Sequence, residues 1–123
     1  VPGPPMTFDP VETTTLGYAV SDRFARDYAI GQLGGEAFTV PACGIVWDAI
    51  VGLHTTGRPV NIDTIVERAR TVPYNVVSQA LTIVDGWTDV QAVDELRERC
   101  ERRRVRIAAL QLADQAVDMS VPF

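Results

Sequence analysis

The sequence predicts an all-α fold, a small helical globule of about six helices with a long C-terminal helix. Three observations lead there. Six stretches carry apolar residues at helical spacing. Cap and breaker residues stand at their ends. No stretch reads convincingly as a strand. At 123 residues and 46% hydrophobic content, the chain is long enough for one domain with a real but small core.

Val1-Pro2-Gly3-Pro4-Pro5 cannot form a helix, so residues 1–8 read as a flexible lead. The missing initial methionine suggests a tag remnant or a trimmed start, with Met6 as a candidate native start. The helical domain is expected over 9–118 and a frayed end over 119–123. Asp9 caps the first helix, with Pro10 at its first position and Glu12 at its third. Leu16, Ala19 and Val20 give it apolar character, and Gly17 offers room for a close helix approach. Ser21 or Asp22 caps a second helix that runs to about Leu33, with Phe24, Ala25, Tyr28 and Ala29 on its apolar face. Gly34 and Gly35 end it.

Pro41 opens the third helix, and Ile45, Val46, Ala49, Ile50 and Leu53 form its stripe. Gly57 stops it and Pro59 prevents its resumption. Asn61 or Asp63 caps the fourth helix, which carries Ile62, Ile65, Val66 and Ala69. This helical pair cannot bury its own stripes, so the rest of the chain must cover it. Pro73 breaks the chain, and Tyr74 to Val84 reads as a fifth helix. Asp85-Gly86 is a turn, and Thr88 with Gln91 makes a capping box for the last helix. That helix is expected to reach about Asp118, with Val93, Leu96, Cys100, Ile107, Leu110 and Val117 near a seven-residue pattern.

Charge and residue content exclude several function classes. The net charge of −5 argues against a chain built to bind phosphate backbones by itself. All eleven basic residues are arginine. A GC-rich genome accounts for that, but the phosphate-binding loop that needs a lysine cannot exist here. Cys43 and Cys100 lack CxxC spacing and read as buried thiols of a reduced compartment, which places the chain in the cytoplasm. No segment has the apolar length of a membrane span, and no signal peptide is visible. The lone His54 caps helix carbonyls or faces solvent. Cys43 lies about three helical turns away, too far to share a metal ion or form a catalytic pair. No cofactor, metal or catalytic site is expected.

Arg102-Arg103-Arg104-Val105-Arg106 is the one locally basic patch. It reads chiefly as a solvated face paired with Asp94, Glu95, Glu98 and Glu101; its functional reading is contact with nucleic acid or an acidic partner. Trp47 and Trp87 read as core or rim, the latter as a staple against the last helix, and either could anchor an interface.

The run Phe38, Pro41, the Ile45–Leu53 stripe and then Gly57-Arg58-Pro59-Val60 resembles the N-terminal domain of DnaB-type replicative DNA helicases. The match extends back to Leu16-Gly17. It departs at Cys43, where the family often has histidine, and at Thr13-Thr14-Thr15, where it has glutamates; after Ala69 it loosens. The resemblance implies a helical globule leading into a helical hairpin, of which the last helix supplies one arm. The family continues into a second arm, a linker and an ATPase domain, so full length implies an ATP-dependent helicase while this domain is not an enzyme by itself.

The implied function is a non-catalytic N-terminal collar of a replicative helicase. Its domains pair into a dimer or hexamer ring and bind primase or a helicase loader, touching DNA only indirectly. The contact positions expected are Leu96, Cys100, Ile107 and Leu110, with Arg103 and its neighbours at the rim. The same stripe can equally close the domain's own core. The alternative is a stand-alone adaptor of this fold, from a phage or a paralogue, that binds the replisome or nucleic acid.

Overall fold

The computed structural model describes residues 7–120, with side chains through Asp114. Six helices follow one another: α1 (Pro10–Ser21), α2 (Arg23–Gln32), α3 (Pro41–Thr55), α4 (Ile62–Arg68), α5 (Tyr74–Ala80) and α6 (Asp89–Ser120). A 3-10 turn, Gly35–Ala37, joins α2 to α3. No strand occurs among the described residues.

Local chemistry sets most boundaries. Asp9 accepts from Val11 N at 2.9 Å and Asp22 from Phe24 N at 2.9 Å, which caps α1 and α2. Asn61 and Thr64 exchange hydrogen bonds in a capping box for α4. Thr88 and Gln91 do the same ahead of α6. Gly57 adopts φ +72°, which an L side chain resists, and the turn lets Arg58 N reach Leu53 O at 2.9 Å.

The helix at the centre is α1, which packs on α2, α3, α5 and α6. Its residues 11–17 are all buried, including Glu12 and the three threonines. A helix covered on every side cannot show an apolar stripe. Each threonine finds a partner: Thr13 donates to Pro10 O, Thr15 to Val11 O, and Thr14 Oγ1 accepts from Val84 N. The α3–α4 pair, which cannot bury its own stripes, is one side of this arrangement. α3 supplies the largest buried group, Trp47, whose ring centre lies 5.2 Å from that of Phe38.

The structure corrects several expectations. Phe24 is 83% exposed, because α2 turns Ala25 and Ala29 inward and leaves Phe24 on its outer flank. Ile45 is also exposed; α3 buries Ala42, Cys43, Val46, Trp47, Ala49, Ile50 and Leu53 instead. α5 ends at Ala80 rather than at Val84. The following segment is pulled onto α1, with Val84 N on Thr14 Oγ1 and Leu81 O and Ile83 against Gly17. The close approach at Gly17 is thus made by this segment, not by a helix. Phe8, assigned to the lead, packs half-buried against the core. α6 continues to Ser120, past the expected end. Residues 1–6 and 121–123, and the Val117 side chain, lie outside what is described.

Candidate interaction surface

α6 changes environment along its length. Its first half is clamped to the globule. Ala92, Val93, Leu96 and Cys100 are buried, facing α1, α2 and the 3-10 turn. Asp94 accepts from Tyr28 OH at 2.6 Å, a hydrogen bond that raises the tyrosine pKa. Arg99 bridges Asp9 at 2.8 Å and Glu95 at 2.9 Å. Partial burial works to lower its pKa, but the hydrogen bonds and charges of these two carboxylates outweigh that and raise it.

The clamp ends at the arginine cluster. Arg103 donates to Glu36 O at 2.8 Å, Arg104 pairs with Glu36, and Arg102 reaches Glu95 at 3.5 Å. This is the salt-bridged face the sequence suggested, and such exposed pairs contribute only about 0–1 kcal/mol each. From Arg104 to Asp114 every residue is exposed, a run of about 15 Å at 1.5 Å per residue.

The expected contact residues therefore divide. Leu96 (1% exposed) and Cys100 (8%) close the domain's own core, and Arg103 sits half-buried at the edge. Ile107 (55%) and Leu110 (61%) are uncovered. At 100° per residue, all five share one face of α6, so the core-closing stripe runs on into solvent. Val105 and Leu112, which the sequence reading passed over, are exposed apolar residues on the opposite side of the same arm. Their signal was present as two apolar residues seven apart, out of phase with the main stripe.

Other sequence candidates sit elsewhere. His54 neither caps carbonyls nor stands free: its Nε2 lies 3.1 Å from Asp27 Oδ1 on α2, a partner that sequence distance concealed. Both cysteines are free and buried. Burial, reinforced by the nearby negative charges of Glu12 and Asp9, pushes the Cys43 thiol up to about 12, so it is no nucleophile near neutral pH. Among the described residues no group of three or more His, Cys, Asp or Glu could hold a metal ion, and no helix is long and apolar enough to cross a membrane.

Glu12 was legible only as a first-turn acid. Its carboxylate accepts from Thr39 N at 3.1 Å, Thr39 Oγ1 at 2.6 Å and Val40 N at 3.2 Å. It thereby serves the N-terminus of α3, which has no side-chain cap of its own. This fixes α1 and α3 together beneath α6.

No family model matches the chain, and no curated protein matches it. Solved structures do. The chain is similar to the N-terminal domain of DnaB helicase from Mycobacterium tuberculosis, with a TM-score of 0.77 at 21% identity over 97% of this chain and 91% of that one. It is also similar to the N-terminal domain of DnaB helicase from Helicobacter pylori, which was described together with its interactions with primase; there the TM-score is 0.74 at 16% identity, over 86% of this chain and 89% of the other. The chain has the all-α fold of these domains.

Proposed function

We propose that this chain is a non-catalytic assembly and docking domain of the replicative-helicase collar type, acting in the cytoplasm. One observation carries the reading: the face of α6 that closes the core continues beyond the globule as Ile107 and Leu110, with nothing covering it among the described residues. The proposed occupant is the matching arm of a second copy. Fully burying an aliphatic side chain contributes about 1.5–3 kcal/mol. Just over half of each side chain remains to be covered, so two such residues from each of two copies give about 3–7 kcal/mol, against an association cost of about 4–15 kcal/mol. Pairing is therefore expected to be weak and to depend on concentration. Partner docking, to primase or a helicase loader, is the second part of the proposal. The fold shared with a domain described with its interactions with primase supports it.

Light scattering over a concentration series tests the pairing. The mass is expected to rise from monomer toward dimer or larger, and Leu110→Glu should hold it at monomer by placing a charge in the contact. Leu110 is exposed, so this change leaves the fold intact. A monomer at every concentration, or a series in which Leu110→Glu has no effect, contradicts pairing through α6.

A further inference from the structure

The arginines outside α6 form a second surface that the sequence order hides. Arg23 and Arg26 lie on α2, Arg58 follows the Gly57 turn, Arg68 ends α4 and Arg70 follows it. The fold gathers them beside the C-terminal end of α3. A cleft of about 350 Å³ is lined by Arg23, Arg26, His54, Arg58, Pro59 and Val60. A second, of about 260 Å³, is lined by Arg58, Thr64, Glu67, Arg68 and Arg70. Arg58 lines both, so the two adjoin.

The charge here is uncompensated, in contrast to α6. Arg97, Arg99, Arg102 and Arg104 on α6 each meet a carboxylate. None of the five arginines at the clefts makes an ion pair among the described residues. Among the described residues Glu67 is the one carboxylate lining either cleft. Asp27, nearby on α2, is engaged by His54.

Two of the guanidinium groups are also held in place. Arg26 donates from Nη1 to Ala19 O at 3.0 Å, while its Nε is buried with no acceptor. Arg68 lies flat against α3 at Gly52, where a Cβ would come within 2.5 Å of the guanidinium. A side chain at position 52 is thus incompatible with this seat. Fixed guanidinium forks lose less conformational freedom on meeting a carboxylate than free ones.

We infer that the two adjoining clefts receive a short acidic segment of a protein partner, its carboxylates meeting Arg23, Arg58 and Arg68, with Pro59 and Val60 as an apolar floor. This surface is separate from the α6 arm, so the inference stands or falls independently of pairing through α6. A protein segment fits better than a nucleic acid. Among the described residues no Phe, Tyr or Trp lines either cleft to stack a base, and His54 is turned to Asp27. The chain carries a net charge of −5, which repels a long polyanion beyond the cleft but not a short motif.

The test is a titration of the full chain with a hexaglutamate peptide, followed by backbone amide NMR at low salt. Shifts should concentrate at residues 23–26, 52–60 and 64–70, and Arg58→Ala should weaken binding by about fivefold. Arg106→Ala, a change in an exposed α6 arginine without an ion pair among the described residues, should leave it unaltered. An oligothymidylate of equal charge should bind these residues more weakly than the peptide. Shifts spread evenly over the surface, equal losses in the two variants, or preference for the oligothymidylate at the cleft would each overturn the proposal.

Discussion

Glu12→Ala is expected to lower the stability of this domain by about 3 kcal/mol, the largest effect of any single truncation of a polar side chain here. The residue is 1% exposed, and its carboxylate accepts from two backbone N–H groups and one hydroxyl at the start of α3. Those N–H groups have no alternative acceptor within their own helix, because Val40 caps α3 without a side-chain hydrogen bond. Alanine leaves them unsatisfied and opens a cavity between α1 and α3. Glutamine separates the hydrogen bonds from the charge. Its amide oxygen can accept from both N–H groups while its NH₂ donates to the Thr39 hydroxyl. Glu12→Gln should therefore cost only about 1 kcal/mol, the loss of the charge at a helix N-terminus. Denaturant unfolding checks both values: the midpoint should shift with an unchanged slope. Equal costs for the two variants would mean that the negative charge, and neither volume nor hydrogen-bond geometry, is what Glu12 supplies.

Gly17→Ala is expected to destabilise by about 2 kcal/mol, although the same change in an exposed helix stabilises by about 1 kcal/mol. A Cβ at this position would overlap Leu81 O and come 2.6 Å from Ile83 Cγ1. The first is a backbone atom in a segment held at Val84 N by Thr14, so it cannot step aside alone. Overpacking of this kind costs about 3 kcal/mol at the upper end of the usual range, and the helix-propensity gain returns about 1. The sign is the decisive readout in the same unfolding experiment. A stabilised Gly17→Ala would show that the 81–84 segment does not lie against α1.

These two residues also mark where sequence reading stops. The all-α class and the start of nearly every helix were legible, because Asp9, Asn61, Thr88 and Gly57 act on backbone groups within a few positions of themselves. What crosses the fold was not. Glu12 caps a helix it precedes by almost thirty positions. Thr13, Thr14 and Thr15 look like surface residues until four helices close around α1. α5 stops early because α1 draws the next segment away, a tertiary contact that overrides its helical pattern. The α6 stripe was read correctly as a face. Periodicity alone could not show that its first half, Leu96 and Cys100, is core while Ile107 and Leu110 are surface. Half of the conspicuous arginine run, Arg102 and Arg104, is ion-paired, and the five arginines at the clefts come from separate stretches that only the fold brings together.

Amide hydrogen exchange along α6, compared at low and high protein concentration, reads out whether residues 104–114 are an assembly surface. Strong protection of residues 92–100 is expected at both concentrations, since they are hydrogen-bonded within α6 and fixed to α1 and α2. Exchange across 104–114 should be fast in dilute solution and clearly slowed when the concentration is raised. Exchange across 104–114 that is the same at both concentrations would contradict the assignment of this arm as the assembly surface.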